Sequence, residues 1–152
     1  MILAVMAGTG CSTPHTASGS LDQGKQRVVE LVLDAARALP ATAKFRPPTE
    51  VGTQPCRKTL AGFTIGETGA HRAEVPLLVQ VPPAPSPPAL LARIEAAWTK
   101  AGYRIDRSRI HESGFPQIRA HAGGGYDVVA TAFAPPHQPQ IDLYSVSPCL
   151  RG

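Results

Sequence analysis

Apolar residues recur at helical spacing in two segments of the chain and at alternate positions over its last third. In the first segment, from Leu21 to Leu39, they follow one face of a helix while charged residues occupy the others. Ser20 and Gln23 have the spacing of a capping box at the start of this segment. Pro40 cannot continue a helix, so the pattern predicts an amphipathic helix that ends just before it.

The second helical segment follows a proline-rich connector over residues 82–88. Ser86 is placed to cap its start, Pro87 and Pro88 suit a first turn, and Gly102 suits the end of a helix. Trp98 lies on the apolar stripe, which predicts that it anchors a core rather than contacts a ligand. The stripe comprises Leu90, Leu91, Ile94, Ala97, Trp98 and Ala101.

Beyond Gly102 the apolar period changes from helical to alternating, which is typical of half-buried strands. Short turns at Ser113–Pro116, Gly123–Gly125 and Ala134–Pro139 separate the strands, so neighbouring strands should be antiparallel. The predicted strands are Tyr103–Ile110, Gln117–His121, Tyr126–Phe133 and Gln140–Val146.

Two further strands are predicted between the helices, Thr49–Leu60 and Glu74–Val81, and a loop containing Gly62, Gly66 and Gly69 would join them. Pro55 and Pro76 lack a backbone N–H to donate. Each proline should therefore lie at a strand end, at a bulge or on a sheet edge.

The order α-β-β-α-β-β-β-β predicts an α+β fold in two layers, with both helices packed on one face of a mostly antiparallel sheet. Each helix has a single apolar stripe, and a chain of this length supports one small core. The sequence thus predicts one domain over residues 21–150. Its expected shared core includes Leu31, Leu91, Ile94 and Trp98.

The first ten residues are small and apolar and lead directly into Cys11, which resembles the end of a bacterial lipoprotein signal. Residues 1–11 would then be a signal remnant with Cys11 as the lipidated residue, and residues 12–20 a flexible polar tether. No Lys or Arg precedes the apolar run, so a complete signal would need residues upstream of Met1. The alternative is a buried N-terminal strand with an ordinary free cysteine.

Three cysteines are present, and lipidation of Cys11 would leave Cys56 and Cys149 as an even pair. In an exported protein an oxidising environment allows disulfides to persist, so these two residues are predicted to be bonded to each other. Their spacing matches neither a CxxC redox motif nor a zinc site.

The net charge of +4 comes from fifteen Lys and Arg residues that are scattered along the chain. Scattered basic residues favour weak attraction to anionic surfaces and argue little for nucleic-acid binding. Aromatic residues make up only 5% of the chain, so the core should be mainly aliphatic.

A possible chemical site involves His111 and His121, which a hairpin centred near Pro116 would place opposite each other, with Glu112 beside His111. Two imidazoles could hold a divalent metal if a third ligand were supplied. The alternative is that both are exposed histidines of a loop-rich hairpin. The sequence contains neither a GxSxG elbow nor an HExxH motif, and no cofactor is predicted.

The tether after Cys11, the helix with Trp98 and Gly102, and the final strand ending at Cys149 together resemble the small lipoproteins of mycobacteria and other actinobacteria, including the LppA-like type. The resemblance implies an exported, lipid-anchored cell-envelope protein with no established catalytic role. Such a protein would bind a partner protein, or an apolar ligand between helices and sheet. The alternative is a small metal-dependent or hydrolase-like enzyme that uses His111, Glu112 and His121.

Overall fold

The computed structural model describes residues 17–107 and 114–152. These residues form one antiparallel sheet in the order β1-β2-β6-β5-β4-β3, with two helices, so the predicted α+β sandwich is confirmed. The elements are α1 (Leu21–Arg37), β1 (Gly52–Leu60), β2 (Phe63–Gln80), α2 (Pro87–Lys100), β3 (Arg104–Asp106), β4 (Gln117–His121), β5 (Asp127–Phe133) and β6 (Gln140–Val146).

Both helices pack on one face of the sheet, as the single apolar stripe on each predicts. All four residues expected in the shared core are buried, including Trp98, which is only 2% exposed. Alternate residues of the central strands point at the helices and fill the space beneath them. From β2 and β6 these residues are Ala73, Val75, Leu77, Val79, Ile141 and Leu143.

The helix ends follow the local sequence signals with one difference. At the start of α1 the Gln23 N–H donates to the Ser20 hydroxyl at 3.2 Å, and the Ser20 N–H donates to the Gln23 side chain at 3.0 Å, which completes the predicted capping box. Ser86 is the N-cap residue of α2, but its side chain makes no capping hydrogen bond. Gly102, with φ +82°, follows α2 in the left-handed conformation that glycine adopts at helix ends.

The prediction of a glycine loop between the first two strands is wrong. Strand β2 begins at Phe63, and only Ala61 and Gly62 form the turn that joins it to β1. Gly66 and Gly69 lie within β2, at φ +154° and +76°, beside register irregularities of the hairpin. Glycine tolerates such angles at a β-bulge, so the strand continues through both residues.

The later strands agree closely with the alternating pattern. Strands β4 and β6 have the predicted bounds, and β5 begins one residue later than predicted. The strand predicted over Tyr103–Ile110 is described only as far as residue 107. Within that part, β3 pairs with β4.

The last residues of the chain connect the N-terminal segment to β2. The Leu21 N–H donates to the Arg151 carbonyl at 3.0 Å, and Leu150 exchanges both backbone hydrogen bonds with His71 at 2.7 and 2.8 Å. The Ala17 N–H also donates to the Cys149 carbonyl at 3.2 Å. The last residues of the predicted 12–20 tether therefore lie against the fold, while residues 12–16 lie outside the described part.

Candidate binding surfaces

Cys56 on β1 and Cys149 after β6 form a disulfide, with their α-carbons 6.1 Å apart and a sequence separation of 93. The predicted pairing is confirmed. Both side chains are buried, and with Ala70 they form a small cluster separate from the main core. The disulfide therefore fixes the β1–β2 hairpin to the C-terminal end of the chain.

The predicted lipidation residue Cys11 lies outside the described residues. Within the described ranges, neither helix is long and apolar enough to cross a membrane. The membrane anchor predicted from the sequence thus stays a prediction that depends on Cys11.

His121 contacts two carboxylates. Its Nδ1 lies 2.5 Å from Asp127 Oδ1, and its Nε2 lies 3.3 Å from Asp106 Oδ2. An imidazolium ring can donate to both carboxylates, whereas a neutral ring donates to only one. All three side chains are more than two-thirds buried, so the arrangement links β3, β4 and β5 on the face of the sheet away from the helices.

The predicted pairing of His111 with His121 stays a prediction; in the described β3–β4 pair the residue opposite His121 is Arg104. Both ring nitrogens of His121 are engaged by aspartates, which leaves neither free for a metal. Among the residues described, no group of three or more His, Cys, Asp or Glu side chains could hold a metal ion. His111 and Glu112 themselves lie outside the described ranges.

Sequence reasoning missed the aspartates because nothing local joins them to the histidine. Strand register does so instead: Asp127 lies directly opposite His121 across the turn at residues 123–125, and Asp106 is reached diagonally from β3. The one available signal was the tight glycine turn, which fixes His121 and Asp127 as cross-strand neighbours.

On the same open face, Tyr144 donates to Glu74 Oε2 at 2.5 Å, and the Gln54 side-chain amide donates to Glu74 Oε1 at 2.8 Å. Partial burial raises the pKa of Tyr144 to about 12, and the hydrogen bond to Glu74 adds to the rise. Burial likewise raises the pKa of Asp142, against a hydrogen bond from Gln140 that lowers it. The open face thus carries ordered polar groups as well as apolar ones.

A groove lies beside β2 where the sheet edge is incomplete. Strand β1 pairs with β2 only as far as Glu74, and the next backbone contact on that edge is between Lys44 and Gln80. Backbone groups of alternate residues point to the same edge, so the N–H and C=O of Leu78 face the gap, as does the C=O of Pro76. In the described chain no residue pairs with Leu78 on this edge.

The groove has a volume of about 590 Å³, and its walls combine cationic and apolar side chains. The Leu78 side chain is 48% exposed beside it. The loop that carries Lys44 and Arg46 forms the opposite wall. The principal residues that line the groove are Lys44, Phe45, Arg46, Pro48, Pro76 and Leu78.

The β1–β2 hairpin extends beyond the sheet, and we call residues 57–69 the hairpin arm. No other described strand pairs with the arm. Its end exposes three large apolar side chains: Phe63 is 75%, Ile65 61% and Leu60 50% exposed. At its base, a cavity of about 500 Å³ is lined by Arg57 and Arg72 next to the disulfide; we call it the arginine cavity.

Comparison of the chain with protein-family models, curated proteins and solved structures finds no match. The binding surfaces above therefore have to be interpreted from their own geometry.

Proposed function

We propose that this protein is an exported, lipid-anchored, non-enzymatic binding domain of the cell envelope, held at the outer face of the membrane through Cys11. The Cys56–Cys149 disulfide supports export, because such bonds persist in oxidising compartments and are rare in the cytosol. The resemblance of the chain to small actinobacterial lipoproteins supports the same location. The observation that carries the binding role is the groove beside β2.

The groove has the features of a site for an extended peptide. An extended segment can pair with unpaired backbone groups at a sheet edge, and its side chains then enter neighbouring pockets. Here Leu78 offers a backbone donor and acceptor, and the groove beside it is deep enough for side chains. Because the gap spans only the positions between Glu74 and Gln80, it would hold a short segment rather than a full strand.

The charges of the groove indicate the kind of segment it would bind. Lys44 and Arg46 are exposed on one wall, while Leu78 and Pro76 supply apolar surface on the other. Two carboxylates flank the groove. Asp142 pairs across β2 with Leu78 and so lies on the far side of the strand from the two cations, and Glu74, at the end of the gap, accepts hydrogen bonds from Tyr144 and Gln54. We therefore propose as the occupant an extended segment of a partner envelope protein that alternates acidic and apolar residues.

A capped pentapeptide of alternating glutamate and valine is the probe for this proposal. Binding should slow hydrogen exchange at the Leu78 amide and shift its NMR resonance. The charge-reversed variant Lys44→Glu/Arg46→Glu should lose the response, whereas Arg93→Glu, an exposed change on α2, should keep it. An unaltered Leu78 amide at saturating peptide, or equal responses in both variants, would contradict a peptide site at the groove.

The lipid anchor is tested separately. Expression in a bacterium that processes lipoproteins, with a clickable palmitate analogue, should label the protein, and Cys11→Ser should abolish the label. Labelling that survives this substitution would place the anchor elsewhere or reject it.

A further inference from the structure

In the described chain the hairpin arm pairs with no third strand, and it takes no part in the proposed peptide site. The disulfide at Cys56 holds its base, and its end exposes Leu60, Phe63 and Ile65. Large apolar side chains concentrated at the end of a projecting element mark interaction sites on soluble domains. The eight residues from Thr59 to Gly66 contain no charged residue, so this end can enter an apolar medium without burying a charge.

The base of the arm is mainly cationic, with one exposed carboxylate, Glu67, opposite Arg57 across the hairpin. Arg57 and Lys58 are exposed immediately before the uncharged end, and Arg72 joins Arg57 in lining the arginine cavity. Within the described ranges neither arginine forms an ion pair. Guanidinium groups bind phosphate in a bidentate manner, so the cavity offers donors to a phosphate group.

We infer that the hairpin arm docks on an anionic phospholipid surface, with Leu60, Phe63 and Ile65 inserted in the headgroup region and Arg57, Lys58 and Arg72 bound to lipid phosphates. An apolar end followed by cations is the order in which a membrane surface presents its acyl and phosphate layers.

The position of the arm supports a membrane as the occupant, and this step rests on the proposed lipid anchor. Ala17 is hydrogen bonded to Cys149, at the base of the arm. The six residue-to-residue steps from Cys11 to Ala17 span at most about 20 Å. The strand from Arg57 to Gly62 extends about 17 Å. A lipid at Cys11 and the end of the arm can therefore reach the same membrane surface.

The test uses the full chain with Phe63→Trp and vesicles of equal parts phosphatidylglycerol and phosphatidylcholine. Trp98 is buried and should give a constant background. Insertion should shift the emission of the new tryptophan to shorter wavelength and make it quenchable by brominated lipid. The control is Thr99→Trp, at an exposed position on α2 in a chain with the same N-terminal segment, and its tryptophan should remain unquenched.

The role of the arginines is tested by Arg57→Gln/Arg72→Gln in the Phe63→Trp background. Each cation near an anionic surface contributes about fivefold in affinity, so the pair should weaken vesicle binding about thirtyfold at low salt. The melting temperature of this variant serves as the check on its folding.

Quenching of Phe63→Trp alone, with the loss on removal of the arginines, supports docking by the arm. Three results would overturn it: no quenching of Phe63→Trp, equal quenching of Thr99→Trp, or a concentration-dependent emission shift without vesicles, which would mean that the arm pairs with a second copy of the chain. Because the soluble protein and vesicles suffice, failure here leaves the palmitate and peptide experiments unaffected.

Discussion

Breaking the Cys56–Cys149 disulfide should lower stability strongly while leaving the folded structure intact. The bond closes a segment of 93 residues, which restricts the unfolded chain far more than the folded one. In the chain-entropy treatment a loop of that size corresponds to about 4.6 kcal/mol at 25 °C. For a domain of about 135 residues this is a fall of roughly 15 °C in melting temperature.

The assay is thermal unfolding by circular dichroism, with and without a phosphine reductant. All proteins carry Cys11→Ser, so that the third thiol takes no part. The melting temperature of the oxidised protein should fall by about 10 to 15 °C on reduction. Measured effects of disulfides are often smaller than the chain-entropy value, which here corresponds to about 15 °C. Cys56→Ala/Cys149→Ala should melt close to the reduced protein and should not respond to reductant.

Denaturant unfolding gives an independent check on the cause. A crosslinked unfolded chain is more compact and exposes less surface, so the urea m-value should be smaller for the oxidised protein than for the reduced one. A decrease in melting temperature of less than about 3 °C on reduction would refute the chain-entropy explanation. It would mean that the two ends of the loop remain together in the unfolded chain. The explanation would also be refuted if reductant lowered the melting temperature of Cys56→Ala/Cys149→Ala as much as that of the oxidised protein.

Gly24→Ala should destabilise the protein by about 1 to 3 kcal/mol in urea unfolding, because the added methyl group would collide with the buried Leu150 side chain, and the cost of Gly24→Ala should be smaller when it is measured in a Leu150→Ala background; a gain in stability would contradict this contact. The pKa of Tyr144 is raised from its ordinary value of 10 to about 12. The contribution of its neutral hydroxyl to the free energy of unfolding is therefore complete below pH 10 and is lost as the pH rises through 12. Tyr144→Phe should therefore flatten the fall in stability between about pH 10 and 12, and parallel curves would rule the effect out. Deleting residues 1–16 should leave the melting temperature unchanged, whereas a loss of several degrees would favour the buried N-terminal strand.

The sequence was most informative where one local pattern determined the structure. Helix α1 follows from its apolar stripe and its capping box, and the strands near the C-terminus follow from alternation between glycine and proline turns. These signals depend on backbone conformations that involve neighbouring residues only. The disulfide could also be predicted, because assigning Cys11 to the proposed lipid anchor leaves the other two cysteines as an even pair.

The rest depended on pairing between distant segments. Gly66 and Gly69 indicated a loop by composition, but glycine serves a bulge as well as a turn, and only the pairing with β1 distinguishes the two. The Asp106–His121–Asp127 arrangement arises from the register of three strands. In the described β3–β4 pair Arg104 lies opposite His121, which a hairpin centred near Pro116 does not give.

The groove was missed for a related reason. Leu78 and Lys44 belong to different parts of the chain, and neither local sequence predicts that the pairing of β1 with β2 ends at Glu74. The apolar end of the hairpin arm was hidden by the same glycines, since a predicted loop gives no reason to expect Phe63 and Ile65 on a projecting strand.

The strand order has a consequence for how the molecule is made. Strand β6, the last in the chain, lies between β2 and β5 at the middle of the sheet. Until β6 is present, the two-stranded unit β1-β2 and the three-stranded unit β5-β4-β3 are separate parts of the sheet. The edges of β2 and β5 that will pair with β6 are then unpaired, and such edges are prone to wrong association. The domain therefore cannot fold progressively as it is synthesised. A chain that lacks β6 would leave the inner edges of β2 and β5 unpaired and would be expected to be degraded.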